Sequence, residues 1–477
     1  MNIYLYTLIG YSVLLIAVGV IAARKVHSAT DFLVGGRKFG FGVLFATFLA
    51  ANIGAGSTVG ASGIGYRLGL SAWWWVGSAG IGTIFLSQLV GPRLWRIAKA
   101  HGLHTMGDYL EVRYNKAVKA IIAVILWFGT LAILAGQLMA ISWILNVVAG
   151  LPKWAGCMIG GVVAVAYCAV GGLASSAIVN IFELVVTMTG LLMSVIFAAH
   201  ALGGWSGMTA RLTQEFGNVR AAQLTTITGA GTKQILAYLA ILTPSFICSP
   251  GLAQKLYGGK DARSVRIGIG LNSIAQLLFA FVPPLFGMVA LAHYANLGNA
   301  ELALPTVMVK LVPPWLGVWA LASIFSAELS ATDAILFMLS TSLAVDLYKT
   351  FLNPGVKQEK LLKVSRLTTV VAGVAGVGLA VALPSVIAAV TIFYGLLAVS
   401  LFIPFVLGLY WPRMSATAAM VSIFSAIGAD LAVQYGTATH SIGIWPPAAI
   451  GILTALVVSV GVSLAVPAQA KVVAQAS

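Results

Sequence analysis

Ala50-Ala51-Asn52-Ile53-Gly54-Ala55-Gly56-Ser57-Thr58 stands in the middle of an apolar stretch, 41–66, that is long enough to cross a bilayer. Two glycines, an asparagine and two hydroxyl side chains at that depth make a poor continuous helix. In hydrocarbon, the backbone groups freed by a break must be satisfied by protein, an ion or internal water. Close helix packing is the competing reading, because Gly56 and Gly60 form a small-xxx-small pair. A second apolar stretch, 233–251, carries Thr243-Pro244-Ser245 and then Ser249-Pro250-Gly251. Proline removes a hydrogen-bond donor and clashes with the preceding turn. The two interrupted stretches are the second and the seventh candidate spans, and an offset of five makes them enter the membrane from opposite sides. Paired interruptions at corresponding places in two inverted halves point to the midplane site of a secondary transporter.

The rest of the chain agrees with a membrane solvent. Of 477 residues, 60% are hydrophobic and 8% charged, with a mean hydropathy of +0.99. A soluble domain carries roughly a quarter charged residues. The expected fold is an all-α polytopic membrane protein of about thirteen transmembrane helices, built on a five-plus-five inverted repeat. Residues 1–40 hold an extra N-terminal helix and a cytoplasmic loop; 41–201 form the first repeat, spans 2–6. An extracellular loop, 202–232, leads to the second repeat, 233–409, spans 7–11. Residues 410–477 supply two C-terminal helices and a short tail. The divisions at 67–68, 172 and 383–384 are the weakest. Cys157, Cys168 and Cys248 all lie in apolar runs, which excludes a disulfide scaffold.

The net charge of +15 would suggest nucleic acid if it were clustered on a soluble surface. Assigning alternate connections to one side instead places 21 of the 27 Lys and Arg residues there. A cytoplasmic excess of basic residues orients a membrane protein. The N-terminus is therefore expected outside and the C-terminus in the cytoplasm, in the plasma (inner) membrane, with anionic lipid rather than nucleic acid beside the basic loops.

Glu183, Glu328, Asp333 and Asp430 fall within spans, where an acidic residue is a functional candidate by default. Asp430 lies outside the repeat and is read as structural. Glu328 and Asp333 are five residues apart and project from different faces, so they do not form one paired site. No Lys or Arg is expected deep in a span. The six histidines lie at span ends or in loops, so no metal site is expected. Nothing resembles a nucleophile with a placed base, and the glycine runs do not join a strand to a helix as a nucleotide cradle requires. The chain is not expected to be an enzyme or to need a cofactor. Trp73-Trp74-Trp75 is read as an interfacial anchor.

Asp31-Phe32-Leu33-Val34-Gly35-Gly36-Arg37, Ala50-Ala51-Asn52-Ile53 and Gly63-Ile64-Gly65-Tyr66 resemble the sodium:solute symporter family. So do Thr105-Met106-Gly107-Asp108-Tyr109-Leu110-Glu111-Val112-Arg113-Tyr114-Asn115, Gly171-Gly172-Leu173 and Ala344-Val345-Asp346-Leu347-Tyr348-Lys349, in order and with matching spacing. The resemblance implies a LeuT-like fold, alternating access and sodium-driven uptake of a small solute. It implies sodium at the carbonyls of Ala50, Ile53 and Ala327 and at the Ser330 hydroxyl, with Thr332 nearby. The second family hydroxyl aligns with Ala331, and a family carboxylate aligns with Asn180. Hard cations favour several oxygen ligands, so Glu183, Glu328 or Asp333 is a candidate to replace a ligand or to carry a proton instead. Ser57 matches a family substrate position and Ser249 a polar position on the other broken span; Thr58 and Gln137 complete the solute candidates. A family acidic position used for sugar aligns with Val76, which disfavours a sugar, and the expected lack of a deep cation favours a neutral or zwitterionic solute. Proton coupling, an uncoupled facilitator and a solute sensor are the alternatives.

Overall fold

The computed structural model describes residues 3–23 and 37–466, without the side chains of residues 15, 16, 18–23, 167–180 and 358. Residues Asp31–Gly36 therefore lie outside the described part, as do the side chains of Cys168, Gly171-Gly172-Leu173 and Asn180. The described residues are helical throughout, with isolated bridges only at Phe39–Gly259 and Ile442–Trp445. Nine of their helices are long and apolar enough to cross a membrane, or ten with one bent pair. The full count of thirteen is not reached among the described residues.

Both expected interruptions are present. The first span runs as a helix over Phe41–Asn52, leaves helical geometry at Ile53 (φ −102°, ψ 99°), and resumes as a π-helical turn, Gly56–Gly60, and a helix, Ala61–Leu68. The axis bends by 63° at this break. Gly69, at φ +62°, then turns the chain into the helix Trp73–Phe85. Only glycine fits there, because an added Cβ would stand 2.0 Å from Leu224 O. The second span is helical over Thr232–Cys248, extended at Ser249 (φ −57°, ψ 123°), and helical again over Pro250–Tyr257. It therefore reaches past the expected end at 251. Lys255, read from sequence as a loop residue, lies inside the span at 2% exposure. The expectation that no Lys or Arg sits deep in a span is thereby corrected.

The stretch expected as two spans, 152–171 and 173–201, is helical from Lys153 to Ala201, with Ile181–Ala201 long and apolar enough to cross a membrane and Lys153–Ala166 a shorter apolar helix. Its two ends reach the same face of the protein. Lys153 Nζ donates to Leu383 O at the end of the helix Gln358–Ala382, and Phe197 packs edge-on against Trp315 at the start of the helix Pro314–Thr341. The segment 202–232, expected as a loop, contains two helical stretches within Gly204–Thr225, parted at Gly217 (φ +77°, ψ 164°).

Two polar clusters tie the helices at opposite faces. At one, the motif residues read from the sequence converge. Lys119, 2% exposed, pairs with Asp108 (2.9 Å), Glu111 (3.0 Å) and Asp346 (3.7 Å), and Thr105 Oγ1 donates to Asp346 Oδ1 at 2.6 Å. Thr105 and Asp108 also form a capping box at the start of the helix Met106–Arg113. Burial works to raise the Asp108 carboxyl, but the Lys119 ammonium and the N–H groups of His104 and Thr105 outweigh it and hold it below the usual carboxylate range. At the other face, the buried Glu301 carboxylate accepts from Trp143 Nε1 (2.9 Å) and from Val386 N (2.8 Å), the first residue of the helix Val386–Leu396. A carboxylate there meets the positive end of the helix dipole. Burial nonetheless pushes Glu301 above its usual range, against these donors.

Candidate transport site

The first break is held open by side chains. Ser57 Oγ accepts from Gly54 N (3.0 Å) and donates to Asn52 O (2.9 Å). Gln137, from the helix Lys116–Ala149, accepts from Ala55 N at 2.8 Å through Oε1. These contacts satisfy donors that the lost helix turn no longer serves. The carbonyls at the end of Phe41–Asn52 have no intrahelical donor ahead of them, so the break presents oxygen atoms inside the membrane.

A central cavity lies between the two broken spans, with about 820 Å³ of non-protein space, open solvent at its mouth included. Ser57, Gln137 and Ser249, three of the four solute candidates, line it. Thr58 does not. Its Oγ1 donates to Glu328 Oε1 at 2.6 Å, away from the cavity, and Glu328 Oε2 is buried with no hydrogen-bond partner among the described residues. Val76 and Ala331 also line the cavity. Gly54 and Ala331 meet so closely that a Cβ on Gly54 would stand 2.5 Å from Ala331 Cβ.

A second, smaller cavity beside the first break is lined by Ala50, Ile53, Ala327 and Ser330, four of the five ion candidates, together with Glu183, Leu184 and Thr187. Ser330 hydrogen-bonds the Glu183 carboxyl, and Asp333 is the acidic neighbour whose charge acts on it. Thr332 stands elsewhere: its hydroxyl donates to Glu328 O, one turn back on its own helix, at 2.6 Å. The Ser330 hydroxyl and the Glu183 carboxyl beside this space are oxygen groups of the kind a hard cation takes.

Three features of the central cavity escaped the sequence reading. Trp75 is buried and lines it, with Nε1 donating to Gly56 O at 2.8 Å and its ring edge-on to Tyr238 and Tyr394. The interfacial-anchor reading therefore fails for Trp75. Asn52 and Gln276 line it as an amide pair, Asn52 Nδ2 donating to Gln276 Oε1 at 3.3 Å. Lys255 is its one cationic lining residue among those described, and Nζ donates to Thr47 O at 3.1 Å.

Two helices broken beside one central cavity are the arrangement of a secondary transporter of the LeuT-like class. The chain belongs to the sodium:solute symporter family: a model of that family matches residues 32–426. It is 28% identical over 461 residues to a sodium/pantothenate symporter of Escherichia coli, covering 90% of this chain and 91% of that one. It is 22% identical to a sodium/glucose cotransporter of Vibrio parahaemolyticus, covering 89% and 84%. A solved structure of a Na+-coupled sialic acid symporter, in a substrate-bound outward-open state, superposes with a TM-score of 0.83 at 18% identity, covering 98% of this chain and 99% of that one. The family is one of membrane transporters, not enzymes.

Proposed function

We propose that this protein is a sodium-coupled symporter that imports a small organic solute by alternating access, with the solute in the central cavity and sodium in the smaller one. The observation that carries the reading is the convergence of Ala50, Ile53, Ala327, Ser330 and Glu183 on one small space directly beside the first break. The ion and the solute then share the same broken helix, because Ala50 and Ile53 flank the residues that line the central cavity. Coupling follows physically: an ion that orders the break raises the affinity of the solute seated on it, and the effect is reciprocal. Glu183 supplies the carboxyl oxygen that Ala331 and Asn180 do not. The names of two relatives support a sodium couple as well, since one is called a sodium/pantothenate symporter and the other a sodium/glucose cotransporter. The protein is placed in the plasma (inner) membrane, N-terminus outside and C-terminus in the cytoplasm, on the strength of the basic-residue asymmetry.

A proton-coupled carrier is the second reading, favoured by Glu328: a buried carboxyl whose one bonded oxygen touches the first broken span at Thr58. One experiment separates the two. The purified full-length protein is melted in detergent while sodium is titrated against potassium and choline at constant ionic strength. A ligand that binds only the folded state raises its stability by mass action. A saturable, sodium-specific rise is expected. No sodium effect, with a shift in melting driven by pH near neutrality, removes sodium and makes Glu328→Gln the next variant.

A further inference from the structure

We infer that the transported solute carries a single carboxylate and that Lys255 seats it. This rests on the reading of the central cavity as the solute site. The polar lining of that cavity is one-sided. It offers the Lys255 ammonium, the amides of Asn52, Gln137 and Gln276, and the hydroxyls of Ser57 and Ser249. Among the described lining residues there is no aspartate or glutamate. An amine entering this space meets a like charge and no acid to receive it, whereas an anion meets a fixed opposite charge in a low-dielectric setting.

The lysine is held for that task. Its side chain reaches back from the half-helix Pro250–Tyr257 to Thr47 on the other broken span, where Thr47 O takes one of the three ammonium donors. The half-helix begins at the cavity, with Ser249, Gly251 and Leu252 on its wall, so its positive end adds to the same field. The amides favour an acceptor too. Gln276 Oε1 already accepts from Asn52 (3.3 Å) and Thr83 (3.4 Å), which leaves its NH2 end as the group it offers a solute. The acidic residues whose charge reaches Lys255 are Asp333 and Glu183. Neither lines the central cavity, and Glu183 lines the smaller one. The described lining holds one cation and no second one to receive a second negative charge. A dianion would leave a unit of charge buried without a partner, at a cost the site has no second cation to offset.

The test uses the full-length protein in detergent and matched pairs of probes, each acid beside its neutral analogue: pantothenate and pantothenol, lactate and lactamide, N-acetylneuraminate and its methyl ester. Melting is followed in sodium. At least one acid is expected to stabilise the wild type while its neutral partner does not. Lys255→Met should weaken that acid on the order of 10- to 100-fold, and Lys255→Arg should retain most of the binding. The acid-against-neutral comparison in the wild type needs no variant, so it stands even where Lys255→Met folds poorly. Neutral analogues binding as well as their acids overturn the inference, as does Lys255→Met retaining the acid, or no acid stabilising the protein. A Lys255→Met effect confined to the sodium titration also overturns it, assigning the lysine to the ion cavity's acids instead. A sodium-specific rise without acid preference sinks only this inference. Absence of the sodium rise sinks the sodium-coupled reading.

Discussion

Gly54→Ala puts the geometry of the first break to a quantitative test. The new Cβ would stand 2.5 Å from Ala331 Cβ and 2.9 Å from Gln137 Oε1. Carbon atoms in contact settle at about 3.5–4.0 Å, so the broken span and the helix Pro314–Thr341 must part by roughly 1 Å. Overpacking of that kind costs about 1–3 kcal/mol. Gln137 is also pushed off Ala55 N, which it accepts from at 2.8 Å, and an orphaned buried donor costs a further 1–3 kcal/mol, roughly. The expected destabilisation is about 2–6 kcal/mol. The carbonyls of Ala50 and Ile53 sit on one side of the displaced contact and Ser330 on the other, so the sodium midpoint should rise about tenfold or more, equivalent to ~1.4 kcal/mol. Thermal unfolding with and without sodium reads both quantities in one series. Gly428→Ala is the control: a Cβ there meets nothing within 4 Å in the helix Ala416–Gly436. It should leave sodium binding unchanged and stabilise by about 0.5–1 kcal/mol. A Gly54→Ala protein that melts with the wild type and keeps its sodium midpoint would refute the account of how the break is packed.

Two other outcomes follow from the same geometry. Ser330→Ala should weaken sodium stabilisation more than Thr332→Ala does, because Ser330 lines the ion cavity and Thr332 bonds its own helix; equal sodium curves for both variants and the wild type would remove the assigned site. Lys119→Met strands Asp108, Glu111 and Asp346, of which Asp346 is buried and the other two are partly exposed. Breaking a buried pair costs about 3–5 kcal/mol, and the exposure of two partners brings the expected loss to the lower end. The pH dependence has a definite sign. Asp108 is held below its unfolded value, so its contribution is present above roughly pH 4 and is lost as pH falls through the depressed value. Acid melting curves of the wild type should therefore drop in that window, and those of Lys119→Met should drop less.

The breaks were legible because glycine, asparagine and proline in an apolar run have few other uses. The ion candidates at Ala50, Ile53, Ala327 and Ser330 came from family register, and those four residues do share one cavity. Thr332 did not join them for a reason visible in helix geometry: two positions beyond Ser330 is about 200° around the axis. Lys255 was missed because hydropathy falls away at Ser249-Pro250-Gly251, and a lysine beyond such a signal reads as loop. The half-helix Pro250–Tyr257 is too short for its periodicity to say otherwise. Trp75 was hidden by its neighbours. Three consecutive tryptophans point about 100° apart on a helix, and composition does not say which one turns inward. Glu183 and Ser330 meet from helices far apart in sequence, and no local pattern announces such a pair.

The polar ties at the two faces have a thermodynamic consequence for the resting molecule. Glu301 fastens the helix Val386–Leu396 to Trp143 on one face, while Lys119 gathers three carboxylates on the other. In the alternating access proposed above, exposing the cavity to each side in turn loosens these ties, so each contributes to a single equilibrium constant between the two exposures. Their difference in strength, not either strength alone, sets how long an idle carrier waits facing each compartment. Weakening one by about 1.4 kcal/mol tilts that waiting time tenfold. Directional bias is thus adjustable at positions that never touch the cargo.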